Sequence, residues 1–119
     1  MDYRIEAVVN KLDIGFRGQL NLQELGQLVN LSPSRLRHLY KVERGETPTQ
    51  HLHFLRMQEA GTLLKTTFLS VKEVMNQVGM CDFSNFTREF KRVHGMPPTK
   101  YRSLANGFAA TRSSSLLTT

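Results

Sequence analysis

Apolar residues recur at helical spacing through most of this chain, and no segment alternates apolar and polar positions with a period of two over a useful length. Ile5, Val8, Val9 and Leu12 form a first stripe within Tyr3 to Leu12. Asn21 and Glu24 have capping-box spacing, with Asn in place of the usual Ser or Thr, and the stripe Leu22, Leu25, Leu28 and Val29 predicts a short helix over about 22–29. Ser32 followed by Pro33 is an N-cap with a first-turn proline, and Leu36, Leu39 and Tyr40 carry the period on to Gly45, which predicts a helix over about 33–44. Pro48 opens a longer helix to Leu64 with broad apolar contact through His51, Leu52, Leu55, Met57, Ala60, Leu63 and Leu64; at ~1.5 Å per residue it would be about 25 Å long. Ser70 and Glu73 cap a stripe of Val71, Val74 and Val78, and Gly79 ends it. Asp82 then starts a helix whose Phe83, Phe86, Phe90 and Val93 are expected to face inward, until Gly95. Pro97-Pro98 precedes a short last helix through Leu104. These elements predict an all-α fold of about seven helices.

The pattern occurs twice. Ser34 and Ser84, Tyr40 and Phe90, Lys41 and Lys91, Gly45 and Gly95, and Pro48 and Pro98 are each 50 positions apart. Upstream the offset falls to 49, pairing Leu22 with Val71, Glu24 with Glu73, Leu25 with Val74 and Val29 with Val78, as a one-residue insertion in the second turn would produce. Two copies cannot make a solenoid, so the expected architecture is a duplicated, homeodomain-like helix-turn-helix. One domain spans 1–104, with a first unit at about 21–45, a connecting helix at about 48–64 and a second unit at about 70–95. Residues 105–119, rich in Ala, Ser and Thr with one Arg112, are expected to form a flexible tail.

In a helix-turn-helix the first helix braces the second, whose outer face enters the major groove, so the outer faces carry the functional expectation. With Leu36, Leu39 and Tyr40 turned to the core, Ser34, Arg37, His38 and Lys41 fall at i, i+3, i+4 and i+7 on the opposite side. Arg37 can offer a bidentate pair to guanine, His38 can donate or accept, Ser34 reaches either kind of edge and Lys41 suits a phosphate. The second copy presents Ser84, Asn85, Arg88 and either Lys91 or Arg92, and Asn85 can read adenine through N6 and N7. Arg88 stands where the first copy has His38, so the two halves should read different bases in a non-palindromic site. A formal charge of +6, from 16 Lys and Arg against 10 Asp and Glu, fits a polyanion partner.

Other chemistry is excluded residue by residue. One cysteine, Cys81, leaves no intrachain disulfide and no Cys-rich zinc site, and it reads as a small helix-entry residue. His51 and His53 lie on different sides of a helix, so no metal ligand set is expected. No nucleophile elbow or phosphate-cradling loop is present, so neither enzymatic activity nor a cofactor is expected. The first residues lack the layout of a signal peptide, and no apolar run approaches the ~20 residues of a membrane span, so a cytoplasmic protein without membrane contact is expected.

The run Gly79-Met80-Cys81-Asp82-Phe83-Ser84-Asn85-Phe86-Thr87-Arg88-Glu89-Phe90-Lys91, followed by Gly95, Pro97-Pro98 and Tyr101-Arg102, closely resembles the C-terminal signature of the AraC/XylS transcription regulators. Leu22 to Gly45 resembles the first helix-turn-helix of that family, and His51-Leu52, Arg56, Ala60 and Leu63-Leu64 resemble its connecting helix, so the likeness covers about Tyr3 to Leu104. The resemblance implies two reading helices in successive major grooves on one face of double-stranded DNA. It carries base contacts over to Ser34, Arg37, His38, Ser84, Asn85 and Arg88, and it implies activation of bacterial transcription through RNA polymerase. The chain alone would act as a monomer, with dimerisation left to any longer regulator of which it forms the end. Departures from the family pattern are Gly26 and Met75, where alanine is usual at the tight crossing of each bracing helix, and His51 and Met80, where an aromatic is commoner. The competing expectation is a basic helical module that docks an acidic protein and has weak or lost DNA binding.

Overall fold

Helices here begin where a side chain can accept an N–H left unpaired by the first turn. Asn21 accepts from the Glu24 amide at 2.8 Å, Ser32 from Arg35 at 3.2 Å, Ser70 from Glu73 at 3.1 Å and Asp82 from Asn85 at 3.1 Å. At Ser70 the box is reciprocal, because the Glu73 carboxylate also accepts from the Ser70 amide and is held below the usual carboxylate range by these hydrogen bonds. The computed structural model describes residues 2–105. Among these are seven helical segments and no strand: α1 (Tyr3–Gly15), α2 (Leu22–Leu28), α3 (Pro33–Arg44), α4 (Pro48–Thr66), α5 (Val71–Gln77), α6 (Phe83–His94) and α7 (98–105). The all-α expectation therefore holds for the described residues. The expected tail, 105–119, lies outside them except for its first residue, which is helical.

The two turns show how the repeat changes its offset. Val29 and Val78 close α2 and α5, and the next residue in each copy has a left-handed backbone, Asn30 at φ 61° and Gly79 at φ 89°. The amide after that reaches back to the bracing helix: Leu31 N–H donates to Gly26 O at 2.8 Å and Met80 N–H to Met75 O at 3.1 Å. All of these pairs keep the offset of 49. The caps Ser32 and Asp82 are 50 apart, so the inserted residue is Cys81, exposed between Met80 and Asp82. The glycines then differ in purpose. A Cβ on Gly26 would lie 2.3 Å from Leu31 O, so the shorter turn requires glycine for space, while the longer one passes the buried Met75 side chain. Gly45 and Gly95 have open space around them and are required by φ values of 79° and 80° at the ends of α3 and α6.

The described residues form two compact units, divided inside α4 between Arg56 and Met57. In the first, Ile5, Val8 and Leu12 of α1 pack with Leu25, Leu36, Tyr40 and Leu52. Arg56 is buried there, donating through Nε to Phe16 O at 2.8 Å and through Nη2 to Gly18 O at 2.9 Å, and so fastens α4 to the chain leaving α1. In the second, Met57, Ala60 and Leu64 pack with Val74, Met75, Val78, Met80, Phe86 and Phe90. The repeat reaches into the aromatic contacts of each core. Tyr40 pairs with His51 in the first unit and Phe90 with Tyr101 in the second, at the same offset, with the hydroxyl on opposite partners. Tyr40 OH and His51 Nδ1 share a hydrogen bond, and burial pushes the Tyr40 phenol up to about 12.

Two core expectations are corrected. Leu28 is 55% exposed, since at ~100° per residue it lies a quarter-turn from the centre of the Leu22, Leu25 and Val29 face. Phe83 is 42% exposed because it is the first residue of α6, beyond the end of the core, with the Lys72 ammonium 5.8 Å from its ring.

Candidate nucleic-acid interface

The outer face of α3 follows from the helix period. Leu36 and Tyr40 are fully buried and Leu39 is half-buried, which turns Ser34, Arg37, His38 and Lys41 outward, and all four are exposed. They line one shallow depression of about 420 Å³ together with Val42 and Thr47. A second depression on the same helix is lined by Ser32, Ser34, Arg35, His38 and Leu39. Arg37, His38 and Lys41 form no ion pair among the described residues, so their donors are available to a ligand. The surface has the composition that reading a duplex requires, with a bidentate donor, a two-way imidazole, a hydroxyl and a point charge.

On α6, burial of Phe86 and Phe90 leaves Ser84, Arg88 and Lys91 exposed and Asn85 half-buried. Here the side chains are partly pre-arranged. Arg88 Nη2 donates to Asn85 Oδ1 at 3.1 Å, and Thr87, the counterpart of Arg37, gives its hydroxyl proton to Ser84 O at 3.0 Å. Lys91 and Arg92 differ in ion pairing. Arg92 places Nε and Nη2 at 3.0 and 2.8 Å from Glu89 Oε2, whereas Lys91 forms no ion pair among the described residues. The two faces are thus equivalent in position and different in content, as the substitution of His38 by Arg88 implied.

Reasoning from the sequence did not single out Val42 or Thr47 for the α3 surface. Val42 is four residues after His38 and apolar on an otherwise polar face, a signal readable in the sequence, while Thr47 belongs to the next turn and only folding brings it there. No group of three or more His, Cys, Asp or Glu residues among the described ones is placed to hold a metal. His51 is instead buried beside Tyr40, and no helix among the described residues is long and apolar enough to cross a membrane.

Residues 25–103, which reach into both units, match the helix-turn-helix domain family whose members are AraC-type regulators. The chain belongs to the AraC-type helix-turn-helix family. This is a family of DNA-binding transcription regulators and not of enzymes. Among its relatives, the MmsAB operon regulatory protein of Pseudomonas aeruginosa is 37% identical over 84 residues, covering 71% of this chain and 27% of that protein. The raffinose operon transcriptional regulatory protein RafR of Pediococcus pentosaceus is 33% identical over 99 residues, covering 83% of this chain and 36% of that one. The chain thus spans about a third of the length of these curated relatives or less. In fold it is similar to the C-terminal domain of the two-component response regulator yesN from Fusobacterium nucleatum, with a TM-score of 0.79 and 29% identity over 85% of this chain and 99% of that one. The family match runs from α2 into α7 and so takes in both copies of the repeat.

Proposed function

We propose that this AraC-type domain binds double-stranded DNA sequence-specifically, with α3 and α6 in successive major grooves on one face of the duplex. The observation that carries the reading is the pair of matching outward faces, Ser34, Arg37, His38 and Lys41 on α3 and Ser84, Asn85, Arg88 and Lys91 on α6. A merely solvated basic helix has no reason to repeat such a face at the same place in a second copy. Arg37, His38, Ser34 and the Asn85–Arg88 pair meet base edges, and Lys41 and Lys91 meet phosphates. By family analogy the bound domain regulates bacterial transcription in the cytoplasm as an activator that contacts RNA polymerase, and it occupies its site as a monomer unless a longer chain dimerises it. The proposed domain, 1–104, contains the family match at 25–103 and both faces.

Selection of bound duplexes from a random pool tests the proposal. A single enriched, asymmetric sequence with two conserved clusters is the expected result. Recovery of unrelated sequences, with affinity set by salt alone, would show that the faces only neutralise phosphate or serve an acidic protein.

A further inference from the structure

We infer that Asn85 positions Arg88, and that the two side chains act as one reader of a single guanine in the half-site of α6; the inference rests on the proposed placement of α6 in the major groove. Asn85 is the third residue of α6, its amide donating to the cap Asp82 Oδ1 at 3.1 Å, and its half-buried side chain stands one turn before the exposed Arg88. Across that turn Arg88 Nη2 donates to Asn85 Oδ1 at 3.1 Å. Glu89, the carboxylate next in sequence, accepts instead from Arg92 at 2.8 and 3.0 Å. The fold does not dictate this contact, because the first unit has Arg35, a side chain without an acceptor, at the position of Asn85.

Bonding capacity selects the base. A guanidinium has N–H donors along two edges, each able to grip a pair of acceptors, and whichever Nη2 proton Asn85 accepts, one of those edges stays free. With Oδ1 engaged, the Asn85 amide adds its Nδ2 donors, and Thr87, beside Arg88, gives its hydroxyl proton to Ser84 O at 3.0 Å. The pair therefore presents donors to the groove. Guanine meets them with O6 and N7, both acceptors. Adenine read by Asn85 would instead bring its N6 amino group onto the oxygen that already holds the guanidinium, donor beside donor. The hydrogen bond also restricts the long arginine before a duplex arrives, so less of its freedom is lost on binding, and Asn85 acts through Arg88.

The test uses the full chain and the duplex enriched from a random pool, with each base pair of the α6 half-site varied in turn in competition titrations. Arg88→Ala and Asn85→Ala are expected to lower the preference for guanine over adenine by about fivefold or more at the same base pair, and the double variant to lose little beyond either. Asn85→Asp keeps the oxygen and lacks the amide donors, so it should retain the guanine preference even where its added charge weakens every duplex alike. Replacing that guanine by 7-deazaguanine, which lacks N7, should weaken binding by wild type about fivefold or more and by Arg88→Ala little. Helicity by circular dichroism should be unchanged in all variants, since neither side chain belongs to the core. Effects of the two alanine variants at different base pairs, an adenine preference that Asn85→Asp abolishes, or an unaltered preference in Asn85→Ala would each overturn the inference while leaving base reading by α6 intact. Absence of any enriched sequence would overturn the proposed reading and this inference together.

Discussion

At Gly26 the backbone of α2 passes so close to the following turn that a methyl group would meet Leu31 O at 2.3 Å. Gly26→Ala is therefore expected to destabilise the chain by about 1–3 kcal/mol through forced backbone movement, against little change for Gly18→Ala, where the nearest atom is 3.6 Å away. Denaturant midpoints of the two variants check this. Tyr40 gives a pH dependence of definite sign. Its phenol is pushed up to about 12 by burial, so the folded chain holds the proton more tightly than the unfolded one. The resulting stability is complete below the unfolded value of ~10 and is lost as the pH rises from there through the folded value, on the order of 2–3 kcal/mol in all. Unfolding of Tyr40→Phe between pH 9 and 12 should lack this component, as seen against wild type. For the reading residues, Arg37→Ala and Arg88→Ala should each lower site-specific affinity by ~1–3 kcal/mol and relax preference at different positions. Equal losses on specific and random duplexes would assign both to phosphate. Arg37 and Arg88 could be nominated from helical period alone, whereas the Arg88–Asn85 hydrogen bond could not, because spacing permits such a pair without deciding what each side chain prefers.

Among the helices, α3 was legible to the residue, from Pro33 to Arg44, because cap, first-turn proline and terminal glycine all agree. Positions read less well where an element is short. α2 has seven residues, too few for its stripe to show which edge turns to solvent, and Leu28 was misplaced. α4 carries apolar residues on several sides because Leu52 serves one core while Met57, Ala60 and Leu64 serve the other. On the reading elements, lysines in the last turn are phosphate ligands under the proposal. Lys41→Ala should weaken specific and random duplexes alike and reduce the salt dependence by about one ion, measured as the slope of log affinity against log salt. A shift in preferred sequence would instead make Lys41 a base reader.

For the whole molecule, the proposal that one chain reads successive major grooves sets the spacing of its site. Two protected clusters of bases should lie about 10 bp, or ~34 Å, apart on one face of the duplex. Inserting five base pairs turns one cluster to the far side, and affinity is expected to fall toward that of a half-site. Inserting a full turn should not restore it if, as proposed, one monomer reads only adjacent grooves. Footprinting and titration of the three duplexes give the answer, and undiminished affinity with either insertion would mean that a single unit reads bases.

Helix positions, the duplication, the one-residue step between its copies and the two outward faces were determined by the sequence itself, because caps, prolines, glycines and a 3.6-residue period act locally. Tertiary structure alone decided the remainder, since each feature depends on packing or hydrogen bonds that helical period and capping signals do not specify. It identified Cys81 as the inserted residue by the hydrogen bonds that close each turn, and it sent Arg56 into the core to hold Phe16 O and Gly18 O. Packing also placed Thr47 beside Lys41, left Phe83 outside the end of the second core, and set Arg102 against Leu64 with one nitrogen unpaired.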